Sequence, residues 1–120
     1  MNRTINIGDI PVPMTSTAVV DYAYKAIFHE DPVKLQMEEL ANDISKAVDF
    51  FVRMGYVMAM NASMPFREMK NLSEDDFIEW LGQFDRAAVY DAFEDIRAVY
   101  EGQDIQSSVE KKRAEEPSVE

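Results

Sequence analysis

A chain of 120 residues with 47% hydrophobic content is long enough for one buried core and too short for two, so one domain is expected. The absence of cysteine excludes a disulfide framework and a thiolate metal site, and points to a reducing compartment. A net charge of −11 disfavours nucleic acid as a partner, because affinity for phosphate backbones comes from cations that displace counterions.

Residues 1–8 carry Arg3 as their one charge and no apolar stretch, so neither a signal peptide nor a membrane anchor is expected there. Thr4-Ile5-Asn6-Ile7 alternates polar and apolar residues, Gly8-Asp9 supplies turn chemistry, and Ile10-Pro11-Val12-Pro13-Met14 resumes the alternation. This predicts a short hairpin, with the prolines confining the second strand to an edge.

Thr15-Ser16-Thr17 offers N-cap oxygens to a first helix whose apolar positions are Ala18, Val19, Tyr22, Ala26 and Ile27, closed by His29-Glu30-Asp31-Pro32. Pro32 suits the first position of the next helix, with Asp31 as its cap. From Leu40 the spacing Leu40, Ile44, Val48, Phe51, Gly55 and Met58 predicts a long helix. Its first half turns Glu38, Glu39, Asn42, Asp43 and Lys46 outward, whereas beyond Ala47 it is apolar almost all round, as in a core centre or a partner-covered face. The apolar run 47–60 is shorter than the roughly 20 residues of a membrane span and contains Asp49 and Arg53, so no span is expected.

Residues 61–72 contain Pro65 and no clean period, which reads as a loop with at most a short helical turn. Ser73 then caps a helix opened by Glu74-Asp75-Asp76, with Phe77, Trp80, Leu81 and Phe84 as one stripe. Asp85 caps a last helix with the stripe Val89, Phe93, Ile96 and Tyr100, ended by Gly102. Residues 73–101 hold nine acids against Arg86 and Arg97, whereas residues 50–72 hold Arg53, Arg67 and Lys70 against Glu68, so an acidic face should adjoin a mildly basic, apolar one. Beyond Gly102, Ile105 and Val109 stand among charges, serines and Pro117, and residues 103–120 are expected to form a disordered acidic and polar tail.

The fold expected is mainly α: a compact domain over residues 1–102 with four to five helices and an N-terminal hairpin. Its expected core is Phe28, Ile44, Val48, Phe51, Phe77, Trp80, Leu81, Phe93 and Ile96.

Catalytic chemistry finds little support. His29 beside Glu30 and Asp31 invites a general-base or metal reading, but an acidic helix-cap turn explains the same residues, and no second histidine completes a zinc site. Glu74, Asp75 and Asp76 lack the alternating donors and central glycine of a calcium loop. The four scattered glycines build no phosphate loop, and the serines have no histidine partner for a triad. Neither an enzyme nor a cofactor is expected. A binding signal remains, because Met54, Met58, Met60, Met64 and Met69 fall close together and methionine packs adaptably against irregular apolar partners. Core packing accounts for Met54 and Met58 on the long helix. Met60, Met64, Phe66 and Met69 are the candidates for a protein-binding surface.

The order of motifs resembles the tail assembly chaperones of long-tailed, siphovirus-like bacteriophages through most of the length. The resemblance is carried by Thr4-Ile5-Asn6-Ile7-Gly8-Asp9-Ile10-Pro11, by Tyr24-Lys25-Ala26-Ile27-Phe28 before His29-Glu30-Asp31-Pro32, and by Phe51-Val52-Arg53-Met54-Gly55-Tyr56-Val57-Met58-Ala59. Phe77-Ile78-Glu79-Trp80-Leu81 and the polar tail with Glu110-Lys111-Lys112 complete it. One departure is His29, where members often carry glycine. The resemblance implies a non-enzymatic protein of the host cytoplasm that binds the tape-measure protein, keeps it soluble and helps recruit tail-tube subunits. Such a protein can self-associate, and it is absent from the mature virion. It also implies a longer frameshifted product, for which Lys111 and Lys112 mark a junction. A structural neck or tail-completion protein retained in the virion is the alternative, and an acidic nucleic-acid mimic a third reading.

Overall fold

Alternation in the first fifteen residues produces two strands, β1 (Asn2–Ile7) and β2 (Ile10–Thr15), paired antiparallel with Ile5 opposite Val12 and Ile7 opposite Ile10. Ile5, Ile7, Val12 and Met14 enter the core, while Thr4, Asn6, Pro11 and Pro13 face water. Gly8 opens the turn at φ +65, a left-handed conformation that glycine adopts without a Cβ penalty. Both strands of a two-stranded sheet are edges, which is where proline is tolerated. The computed structural model describes residues 1–38 and 42–102 of the chain, and among these the hairpin is followed by seven helices.

Helix α1 (Val19–Phe28) begins later than its hydroxyl-rich approach suggests. No side chain caps it; the Thr17 carbonyl accepts the Val20 N–H at 3.0 Å. The Thr17 hydroxyl instead accepts from Asn61 Nδ2 at 3.2 Å, and Asn61 also donates to the Thr15 carbonyl at 3.0 Å. The would-be caps thus tie the hairpin's exit to another helix. The buried face is Val20, Ala23, Tyr24, Ile27 and Phe28, while Val19 and Tyr22 of the expected stripe are exposed. A register offset by one residue has the same i, i+3, i+4 spacing, so periodicity alone did not choose between them. His29 ends α1 in the left-handed region at φ 60, its N–H donating to the Lys25 carbonyl. Helix α2 (Pro32–Glu38) starts as expected, with Asp31 Oδ1 accepting the N–H groups of Val33 and Lys34 at 3.0 and 3.3 Å.

Helix α3 (Ile44–Asn61) begins after Asp43, whose carboxylate accepts the Lys46 N–H at 3.2 Å, and Leu40, from which its stripe is expected to run, lies outside the described residues. Ile44, expected in the core, is 78% exposed, because it borders an open groove rather than a packed interface. From Phe50 to Ala59 every residue except Arg53 is buried. The apolar half is therefore the centre of the core, surrounded by β2, α1, α4, α5 and α7. The basic, apolar surface expected over residues 50–72 is accordingly lost to packing in its first half. Gly55 lets α7 approach: a Cβ there would stand 3.1 Å from Ile96 Cγ2.

After α3 come the single turn α4 (Phe66–Met69) and α5 (Glu74–Leu81). The Ser73 cap is realised as a capping box. Its hydroxyl accepts the Asp76 N–H at 3.3 Å, and the Asp76 carboxylate accepts the Ser73 N–H at 2.8 Å. The last expected helix is divided at Ala92 into α6 (Arg86–Asp91) and α7 (Phe93–Tyr100), and Gly102 at φ +77 closes it. The halves have different supports: α6 lies on the hairpin turn, with Ala88 Cβ 3.2 Å from where a Gly8 Cβ would stand, whereas α7 packs along α3. Of the expected core, Phe28, Phe51, Phe77 and Ile96 are buried, and Val48, Trp80, Leu81 and Phe93 are half-buried against it. The expectation for residues 103–120 lies outside the described residues.

Candidate functional site

Four-residue steps place Ile44, Val48 and Val52 in one line along the first half of α3, about 12 Å long at 1.5 Å per residue. Phe77, Ile78 and Leu81 of α5 face this line, and Phe84, Val89 and Tyr90 continue the wall through the following turn into α6. Together they bound an open groove of about 640 Å³. Ile44, Ile78 at 55% and Tyr90 at 53% exposure leave large apolar surfaces facing it. The groove is open because its walls bury little: α5 buries only Phe77, and α6 buries no residue.

Aromatic contacts hold α5 against α3. The Phe77 ring meets Phe28 edge-on at 5.3 Å and Tyr56 at 5.5 Å, while Trp80 contacts Tyr56 at 5.4 Å and Phe84 at 5.0 Å. Arg53 adds a polar clasp, its Nε 2.9 Å from Asp49 and its Nη2 2.9 Å from Glu74, with the guanidinium 4.8 Å from the Phe28 ring centre. Burial opposes that charge, but Asp49 and Glu74 outweigh it, so the Arg53 pKa is raised. The other groove cation, Arg86, lies 5.5 Å over the Tyr90 ring. The floor is thus apolar, and both cations lining it are engaged.

Three tyrosines of the core and its margin have raised pKa values. Burial first, then the charges of Asp76 and Glu79, push Tyr56 up to about 12. Tyr24 is raised further, by burial and then by Glu30. Tyr100, raised by burial and by its hydrogen bond, donates to Asp21 Oδ1 at 2.6 Å and accepts from Gln36 at 3.1 Å, joining α7 to α1 and α2.

The residues expected to form the binding surface lie elsewhere, toward the opposite end of α3, whose 18 residues extend about 27 Å. Met69 is fully buried and belongs to the core, because the turn of α4 faces inward onto α1 and α3. Met60 and Met64 are half-buried against the core, and Phe66 is 38% exposed. Lys111 and Lys112 lie outside the described residues. His29 is an exposed turn residue, Asp76 serves the capping box, and Glu74 holds Arg53. Among the described residues no group of three or more His, Asp or Glu side chains is placed to hold a metal ion, and no helix is long and apolar enough to cross a membrane.

Sequence reasoning missed the groove because it assigned Ile44, Val48 and Leu81 to the core and gave Ile78 and Tyr90 no role. The available signal was excess: Phe77 and Ile78 are adjacent, and one helix face cannot bury both against a single neighbour. No protein-family model, curated protein or solved structure matches the chain.

Proposed function

We propose that the protein is an assembly chaperone that holds an apolar helical segment of a client in the groove between α3, α5 and α6. The observation that carries this is the groove itself, with Ile44, Ile78 and Tyr90 exposed together on a chain of net charge −11. Apolar surface left open beside strong like charge is suited to taking an aggregation-prone helix while staying soluble. The resemblance in motif order supplies the client: the tape-measure protein of a long-tailed phage, around which tail-tube subunits are recruited in the host cytoplasm. Binding and release suffice for this role, and no step in it is catalytic.

Co-expression with a tape-measure fragment tests the reading. The native chain should keep the fragment soluble, and Ile44→Asn with Ile78→Asn should return it to the pellet while leaving the chaperone folded. A fragment that precipitates with the native chain would refute it. Mass spectrometry of purified particles should find the protein missing; finding it there would instead identify a neck or tail-completion component.

A further inference from the structure

We infer that the groove takes a client helix carrying a carboxylate for Arg86, and holds the same apolar stripe less tightly when glutamine or lysine stands in that place. This deepens the client-holding reading and rests on it. The charged side chains lining the groove are Asp49, Arg53 and Arg86. Asp49 accepts from Arg53 Nε at 2.9 Å and Glu74 from Arg53 Nη2 at 2.9 Å, so that cation brings its own acceptors. Arg86 brings none. It is exposed, its guanidinium lies 5.5 Å from the centre of the Tyr90 ring, and it pairs with no carboxylate among the described residues. The ring attracts the charge but offers no oxygen to the N–H donors. Asp85, Asp91 and Asp95 line a separate hollow beside the hairpin turn and leave Arg86 as the groove's one charge without a counterion.

An apolar helix laid on Ile44, Ile78 and Tyr90 covers the Tyr90 ring and takes water from the guanidinium beside it. A cation that loses water without gaining an acceptor opposes binding, whereas a carboxylate on the occupant satisfies it. Glutamine offers a weaker acceptor, and lysine adds a like charge. The chain's net charge of −11 repels an acidic occupant from a distance wherever it docks, so the contribution of Arg86 is read as a difference between variants of equal net charge.

The test uses the full chain and fluorescein-labelled helical peptides, read by anisotropy. Each peptide carries one leucine stripe, ended on both sides by glutamate, by glutamine or by lysine. The observable is the affinity for the glutamate peptide relative to the glutamine one. Arg86→Gln should lower that ratio about tenfold, the size of one hydrogen bond to a charged group, and Arg86→Glu should turn the preference to lysine. Arg67→Gln, which removes an equal charge from the exposed side of α4, should leave the ratio unchanged. Ile44→Asn with Ile78→Asn should weaken all three peptides. The inference fails if Arg86→Gln leaves the ratio where it was, if Arg67→Gln shifts it as far, or if no peptide binds. A chain that sediments as a dimer until Ile44 and Ile78 are changed has a second copy in the groove, and peptides that bind only after deletion of residues 103–120 find that segment there; either result overturns the inference. The client reading is separable: groove-dependent binding with no role for Arg86 leaves it standing, whereas an Arg86-dependent preference beside a tape-measure fragment that precipitates with the native chain sinks that reading alone.

Discussion

Replacing Phe77 with alanine removes the only buried side chain of α5 and so tests what holds the groove wall in place. The Phe77 ring is 2% exposed and contacts Phe28 at 5.3 Å, Tyr56 at 5.5 Å and Trp80 at 6.4 Å. Truncating a buried phenylalanine costs about 3–5 kcal/mol, and three ring contacts place this one near the upper end. Set against a domain stability of about 5–15 kcal/mol, that loss is severe. Two probes separate global from local failure, because Trp80 is the sole tryptophan and lies on α5. Urea unfolding followed by far-UV circular dichroism should show the large loss of stability. A red shift of Trp80 emission before the loss of helix would show α5 leaving first. Ile78→Ala, one residue along and 55% exposed, should stay within about 0.5 kcal/mol of the native chain. If Phe77→Ala costs less than about 1 kcal/mol and leaves Trp80 emission unchanged, α5 is not anchored as argued.

His29→Gly should stabilise the fold by about 0.5–1 kcal/mol, since a left-handed non-glycine residue costs about 1–2 kcal/mol and glycine's extra unfolded-state freedom returns part of that; a lower urea midpoint would contradict it. Met69→Ser should cost at least about 2 kcal/mol because Met69 is fully buried, whereas Met64→Ser with Phe66→Ser should leave a cooperative thermal transition; the reverse order would restore the methionine surface expected from sequence. Stability should fall as pH rises above about 10, where the unfolded chain gives up phenolic protons that Tyr24, Tyr56 and Tyr100 retain when folded. The folded state then binds more protons than the unfolded one, each such tyrosine contributing a slope of up to about 1.4 kcal/mol per pH unit, and for Tyr56 the window closes near its folded value of about 12. Urea midpoints on either side of pH 10 check it, and a flat profile would show that the phenols ionise as freely in the fold as outside it.

What could be read from the sequence was the chemistry that acts within a few residues. The alternation around Gly8-Asp9 makes the hairpin, Asp31 caps α2 behind Pro32, Ser73 and Asp76 form the box, and Gly102 ends α7. Each depends on a side chain or a φ preference at a fixed short offset. What could not be read was which of two neighbouring apolar residues faces inward, because the tertiary partner decides that. Val20 rather than Val19 is buried on α1, and Phe77 rather than Ile78 on α5. Ile44 fits the α3 periodicity and still faces the groove. The left-handed turn at His29 was indicated by position alone: a helix ending at Phe28 calls for glycine next, and this chain places histidine there.

Two kinds of contact position the groove wall, and they differ in what weakens them. The Arg53 clasp joins α3 to Glu74 at the start of α5, but the Glu74 side chain is 57% exposed, and a pair so solvated contributes little and is screened by salt. The ring contacts from Phe28 through Phe77 and Tyr56 to Trp80 sit in or against the core and do not respond to ionic strength. The shape of the groove therefore rests on the rings rather than on the ion pair. Raising salt should weaken the Arg53 pairs before it disturbs the apolar floor. Glu74→Ala should therefore leave the groove in place, whereas substitution of Phe77 should change whether there is a groove to enter.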